Sequence, residues 1–314
     1  MSKVSLIKRI YRNTMEHVCV LSTYISPWLN TRIRYWYVFK KKLNLKSPKT
    51  FNEKILWLKL NRYMNDPLVI QCADKYRVRD YIKEAGCGEY LNDLIGVYNS
   101  PEEIIWDNLP RQFVLKWNFG AGANFICKDK NQYDEKEVKS LLEEWGKIKY
   151  WIKCSEMQYK YIPPCLICER LLNGNGSEDG IAGEPENWKV PEDYKIYCFH
   201  GKAEYVMICK DRFVEEHPTF LFYDREWKEY AFSKEMIGKE HPPVAKPACM
   251  DEMFEIAERL SKPFPFVRVD FFEEKGKIIF GELTFTPCAG LDNDLPEEAE
   301  RILGEKIKLE ICGR

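Results

Sequence analysis

The chain has little net charge, few histidines, no apolar run long enough to cross a bilayer, and no Walker-type phosphate loop. Its 48 basic and 49 acidic residues leave −1 overall, so no global field recruits nucleic acid, and none is expected as a partner. The four histidines (His17, His200, His217, His241) lie in unrelated contexts, which leaves no visible Ser-His-Asp or Cys-His constellation. The apolar stretch from Val18 to Leu29 is broken by Pro27 and falls short of the ~20 residues that span a membrane. It also lacks the small-residue ending of a cleaved signal, so the expected location is the cytoplasm. Internal repeats and low-complexity tracts are missing too, which excludes a solenoid.

Cysteine is not scarce. Twelve are present, scattered through apolar contexts such as NFICKD and IYCFH, and they read as buried reduced thiols rather than a disulfide framework. Cys165 and Cys168 have CxxC spacing, but a structural zinc site wants a second pair and a turn between the ligands.

The near-zero charge hides an asymmetry. Residues 1–50 hold eleven Lys or Arg against Glu16 alone, which makes this arm +10 and the remainder −11. Basic residues interleaved with Tyr35, Trp36, Tyr37 and Phe39 suit an anionic membrane surface, reached through residues 1–45, which would place the protein at the inner face of the cell membrane. They suit equally an acidic partner, or a helical arm packed on the body of the protein.

Beyond the arm, SPKTFNEKILWLKL reads as a capped helix. In ADKYRVRDYIKEAG, Asp74 can cap a helix with Val78, Tyr81, Ile82 and Ala85 on one face and Gly86 as its stop. Lys75 then stands at a helix N-terminus, where a cation opposes the dipole unless an anion also binds there. FVLKWNFGAGANF gives two short strands around Gly120, Ala121 and Gly122, followed by a helix with Val138, Leu141, Leu142 and Trp145 on one face. Small residues let backbone amides approach an anion, and Lys116 stands just before them. Ile162 to Leu172 reads as a buried strand with an exit turn, and NGNGSEDGIAGEPEN after it as a mobile surface insertion. DYKIYCFHGKAEYVMICKDR reads as a hairpin turning at His200 and Gly201, and a helix follows around Met253 to Leu260.

VRVDFF and FGELTF carry the most information. Alternation puts Arg268 and Asp270 on one strand face and Glu282 and Thr284 on one face of the next. If EEKGK closes a hairpin with an even register, all four converge. Two carboxylates in one small volume repel unless a divalent cation lies between them, and hard oxygen ligands suit Mg²⁺ with phosphates completing its shell. An exposed sheet face with a salt bridge is the plainer alternative.

This ordered set resembles the ATP-grasp superfamily, and within it the TupA-like branch associated with teichuronopeptide and other surface-polysaccharide gene clusters. The resemblance covers about residues 50–305 and leaves the arm outside. It implies an α+β architecture in which two lobes grip ATP, here with an N-terminal helical arm. The divisions would be the arm at 1–50, an N-terminal lobe at 51–112, a lid subdomain at 113–172 and a C-terminal lobe at 173–314. It further implies Lys75 and Lys116 on the nucleotide phosphates and Gly120, Ala121 and Gly122 as a loop closing over them. Glu169, Arg170, Leu171 and Leu172 would form a hinge against adenine, with Asp193 on the ribose beyond an insertion from Asn173 to Trp188. Asp270 and Glu282 would be magnesium ligands, and Arg268 a cation for the transferring phosphoryl group, so the catalytic roles fall to Arg268 and Lys116. Thr284 stands where many members carry Asn as a third ligand. The implied reaction joins a carboxylate-bearing sugar or peptide-like acceptor to an amine donor through an acylphosphate, at the expense of ATP. Two other classes remain open. Asp292 and Asp294 form a DxD pair of the kind that holds a nucleotide-sugar diphosphate in glycosyltransferases, and a nucleotide-binding protein without turnover needs no more than the same cations.

Overall fold

The arm is two helices, α1 (Lys3–Ile25) and α2 (Pro27–Phe39), broken at Ser26 where Pro27 takes the first helical position. A computed structural model describes residues 3–174, 188–210 and 219–310, with side chains from residue 13 onward. Most of the glycine- and acid-rich insertion and His217 lie outside the described residues. After the arm come α3 (Phe51–Asn61), α4 (Pro67–Ala73), α5 (Val78–Glu84), β1 (Leu94–Tyr98), β2 (Phe113–Trp117), β3 (Asn124–Cys127), α6 (Glu135–Gly146), α7 (Tyr150–Cys154) and β4 (Leu166–Arg170). The second half comprises β5 (Glu192–Phe199), β6 (Lys202–Lys210), β7 (Thr219–Asp224), β8 (Glu229–Tyr230), α8 (Met250–Ser261), β9 (Phe266–Glu274), β10 (Lys277–Thr284) and α9 (Glu297–Lys306).

Local chemistry sets several of these boundaries. Thr50 and Glu53 form a reciprocal capping box at the start of α3, a device that contributes about 1 kcal/mol. Asp134 accepts from two first-turn amides of α6. The helix of the DK segment begins later than the sequence suggests. The Asp74 carboxylate accepts from the Tyr76 and Arg77 amides at 2.8 and 3.1 Å, which closes a turn first, so α5 starts at Val78 and Lys75 lies in the turn rather than at the helix N-terminus.

The strands form two antiparallel sheets, a four-stranded one in the order β1-β4-β2-β3 and a six-stranded one in the order β10-β9-β5-β6-β7-β8. Phe113, Leu115 and Trp117 bury one face of the smaller sheet against Val138 and Leu142 of α6, where the Trp117 indole donates to the Leu142 carbonyl. In the larger sheet, Val267, Val269 and Phe271 of β9 join Met253, Phe254, Ala257 and Leu260 of α8 in the main core. On the opposite face Phe51 of α3 meets the rings of Tyr197 and Phe266. The segment 51–112 is shared between the two bodies, since α3 to α5 pack into the larger core and β1 joins the smaller sheet.

Both tight hairpins follow their sequences. His200 and Gly201 turn β5 into β6 with φ of 50° and 79°, and Lys275 and Gly276 turn β9 into β10 with φ of 51° and 77°. Consecutive left-handed residues of this kind match the twist of the flanking strands.

Candidate active site

Asp270 lies directly across from Glu282, and Arg268 across from Thr284. The convergence depends on a bulge. From Lys277 to Phe280 the pairing would set Glu282 opposite Val269, but Gly281 is an extra residue in β10 and shifts the register by one. A Cβ at Gly281 would stand 2.9 Å from the Asp270 carbonyl oxygen, so the position admits no side chain without movement.

Arg268 grips Asp270 through two parallel bonds of 2.7 Å, and its guanidinium also donates to the Thr284 hydroxyl at 3.2 Å. That hydroxyl donates to Glu282 at 3.3 Å. Lys195 of β5, opposite Asp270 in the sheet, places its ammonium 2.8 Å from Asp270 and 2.6 Å from Asp193. Burial alone would raise the Asp270 carboxyl, but Arg268 and Lys195 outweigh it and hold it below its ordinary value. Burial dominates at Asp193 and raises its carboxyl despite Lys195. Asp193 therefore belongs to a buried carboxylate and cation chain with Asp270. Lys195 was missed in the sequence. The signal that could have found it is the alternation of DYK, which puts Asp193 and Lys195 on one strand face.

Of the phosphate candidates, Lys116 comes from the other sheet and Lys75 from the turn before α5. Lys116 pairs with Glu169 at 2.7 Å, and Arg79 of α5 reaches the other oxygen of Glu169 at 3.4 Å. Lys75 is held to the glycine loop itself, its amide donating to the Asn118 carbonyl at 2.9 Å and its ammonium to the Gly120 carbonyl. Burial lowers the Lys75 ammonium below its ordinary value and neighbouring Lys116 adds to the effect, while Glu282 opposes it. Lys75, Tyr159, Gly281 and Glu282 line one small cleft, so the DK turn stands against the carboxylate strand. Gly120 and Gly122 adopt φ of 71° and 85°, with Ala121 exposed between them, and Tyr150 packs so closely that a Cβ on Gly120 would lie 2.5 Å from its ring.

The hinge candidates divide. Glu169 faces Lys116 and Arg79, as described, whereas Arg170 is bound to both oxygens of Glu274 on β9 at 2.9 and 3.2 Å. Leu171 is buried, and the carbonyl of Leu172 accepts from the Trp188 indole at 2.8 Å. Asn173 and Gly174 bond to Lys189, so the two ends of the insertion meet just beyond β4.

The remaining sequence candidates have structural roles in place. The side chain of Asp292 accepts from the amide of Asp294, and that of Asp294 from the amide of Glu235, so the DxD pair shapes its own loop. Cys168 is buried in the smaller core and burial pushes its thiol up to about 12, with Cys165 pushed up to about 11. All eleven cysteines among the described residues are free thiols.

For a divalent ion the candidate donors are Asp270 and Glu282. Among the described residues there is no cluster of three or more His, Cys, Asp or Glu that could hold a metal. Two opposed carboxylates fit Mg²⁺, which is bound by one or two carboxylates plus phosphates and waters rather than by an all-protein cage. Glu282 is 42% exposed and open to such an ion, while Asp270, at 3%, is already paired with Arg268 and Lys195.

Two antiparallel sheets, one carrying Lys116 and the glycine loop and the other paired carboxylates, with Lys75 between that loop and Glu282, match the ATP-grasp fold. The chain belongs to the TupA-like ATP-grasp family, whose model matches residues 53–308. It is similar to solved ligases at low identity. D-alanine–D-alanine ligase from Bacillus anthracis complexed with ATP is 15% identical over 76% of this chain and 65% of that one, with a TM-score of 0.44. The corresponding ligase from Helicobacter pylori is 15% identical over 76% and 62%, with a TM-score of 0.40. The L-amino acid ligase from Bacillus licheniformis is 12% identical over 88% and 60%, with a TM-score of 0.46. The chain spans about three fifths of the length of these ligases. No curated protein matches it.

Proposed function

We propose that the protein is an ATP- and magnesium-dependent carboxylate–amine ligase that forms an amide through an acylphosphate, acting on a capsular, O-antigen or teichuronopeptide-type surface polysaccharide. The observation that carries this reading is the opposition of Asp270 and Glu282 across the Gly281 bulge, with Arg268 beside them, Lys75 in the cleft next to Glu282 and Lys116 in the smaller sheet. In the reaction an acceptor carboxylate oxygen bonds to the γ-phosphorus as the bridge to ADP breaks. The amine nitrogen then bonds to the acyl carbon as phosphate leaves, and the nitrogen loses a proton.

Magnesium, held by Asp270 and Glu282, would offset charge on the phosphates. The chain's own residues supply the rest by position and electrostatics. Lys75 and Lys116 hold the phosphates, and the Gly120–Gly122 loop covers them and excludes water. Arg268 offsets charge on the phosphoryl group in flight, and Lys195 keeps Asp270 ionised and in place. The pairing of Arg268 and Lys195 with Asp270 supports a site that holds its carboxylate charged before any ligand arrives. The DxD loop gives no comparable support to a glycosyltransferase, because its carboxylates already cap backbone amides.

The test is to incubate enzyme, Mg-ATP and a panel of uronic and amino acids with hydroxylamine. ADP release together with hydroxamate is expected, and both should vanish in Glu282→Gln while the fold persists. ATP binding with no ADP or hydroxamate from any acid would instead favour a nucleotide-binding protein without turnover. Such a ligase would work in the cytoplasm, with the +10 arm drawing it to the inner face of the membrane where its polymer is assembled.

A further inference from the structure

At the corner between α1 and α2 the arm has its polarity reversed relative to helices that pack on a water-soluble body. Such helices bury an apolar stripe and expose a polar one. Here Ser22, Thr23, Asn30, Thr31 and Arg34 are buried together with Cys19 and Tyr35, and polar bonds form much of the seam. Asn30 donates to the Cys19 carbonyl at 2.7 Å, Thr23 to the Ile152 carbonyl at 2.7 Å, and Arg34 to the Lys153 carbonyl and to Glu16. At the corner between the helices the exposed side is apolar. Leu21 is 65% and Ile25 76% exposed, and Tyr24 and Leu29 are exposed with them, so these residues cluster at the corner where α1 gives way to α2.

Cations flank this corner. Arg32 shares the outward face of α2 with Leu29 and Trp36 at helical spacing, Lys40 caps the helix in a left-handed conformation, and exposed Lys41, 3.4 Å from Glu297, and Lys42 follow. The Lys40 ammonium lies 5.2 Å from the Trp36 ring, an amphipathic pairing that suits the headgroup level. No helix among the described residues is long and apolar enough to cross a membrane.

We propose that the α1–α2 hairpin is a monotopic dock for an anionic lipid bilayer, with Leu21, Tyr24, Ile25 and Leu29 entering the acyl boundary and Arg32, Lys40 and Lys42 meeting the headgroups. The charge of the arm selects an anionic surface, and the reversed polarity selects one that is also apolar. An acidic protein would satisfy the first and leave the corner exposed. This deepens the reading of a ligase drawn to the membrane, because it adds hydrophobic insertion to electrostatic attraction. It also places the lipid beside the site, since α1 packs on α7, whose Tyr150 abuts the glycine loop.

The experiment is sedimentation of the full chain, without nucleotide, with phosphatidylcholine vesicles or with vesicles containing about one third phosphatidylglycerol. The protein is expected to bind the anionic vesicles. Leu21→Ser combined with Ile25→Ser should weaken that binding about tenfold or more, with melting temperature and circular dichroism unchanged. A separate Lys40→Gln, Lys42→Gln variant should also bind less, which would tie the charge to the same surface. Equal binding of wild type and the serine variant would overturn the proposal. So would a lack of vesicle binding, or a self-associated protein that the serine variant converts to monomer while vesicles bind neither, which would make the corner an interface between copies. Because no nucleotide is present, failure of the ligase reading would leave these results unaffected.

Discussion

At Gly281, β10 holds one residue more than β9, and that residue sets Glu282 opposite Asp270. A valine there would drive its Cβ to 2.9 Å from the Asp270 carbonyl and 3.2 Å from the Phe272 ring. Relief of that clash would part the strands or expel the bulge and turn Glu282 away. Gly281→Val is expected to lose about 1–3 kcal/mol of stability. Its ADP release should fall roughly 100-fold or more, the equivalent of about 2.7 kcal/mol. Near-normal turnover in the variant would remove the bulge from the site. A second expectation concerns Asp270, whose carboxyl is held below its ordinary value, so its ionised form stabilises the fold. That stability is fully present above the unfolded value, about 3.9, and is lost as pH falls through the lower folded value. Comparison of wild type with Asp270→Asn by urea unfolding should therefore show a gap at pH 6 that narrows at pH 3. A constant gap would mean that the ion pairs of Asp270 add nothing to stability.

Between elements, Arg170 at the exit of β4 pairs with Glu274 at the end of β9 and so ties the two sheets together. Glu274 also accepts from the Asn173 amide at 2.8 Å, so one carboxylate holds both the strand exit and the start of the insertion. Glu274→Ala would leave the Arg170 guanidinium only 16% exposed and short of its main partner, at a cost of about 3 kcal/mol. Urea unfolding checks it, and a cost under about 0.5 kcal/mol would reduce the pair to a surface ion pair. Such a link was out of reach of the sequence because its partners lie 104 residues apart. What could be read was local. The face-sharing of Arg268 with Asp270, the capped start of α3, the two hairpins and the glycine loop all depend on neighbours within a few residues. The register at Gly281 depends on the paired strand, and the Lys59 bond to the Cys154 carbonyl on a residue 95 positions away, so neither has a local signature.

For the whole molecule, the arm outside the matched family region is a structural support of the site as well as the proposed dock. Tyr35 and Leu43 close over Leu56, which is 0% exposed, and the bonds of Thr23 and Arg34 hold α7. In turn α7 places Tyr150 against Gly120, so the chain of contact runs from the arm to the glycine loop. The electrostatic division in the sequence, +10 against −11, marks the arm as separate, whereas its packing makes it part of the fold. A chain starting at residue 46 would expose Leu56 and leave the carbonyls of Ile152 and Lys153 without these donors. It is expected to lose about 3 kcal/mol or more, seen as a lower melting temperature. With α7 unseated, the glycine loop would lose the ring that packs on Gly120, and the apparent KM for ATP should rise more than kcat falls. Scanning calorimetry and steady-state ADP release on the shortened and full chains check both expectations without any lipid present. An unchanged melting temperature with unchanged KM would show that the arm serves the surface it meets and not the site.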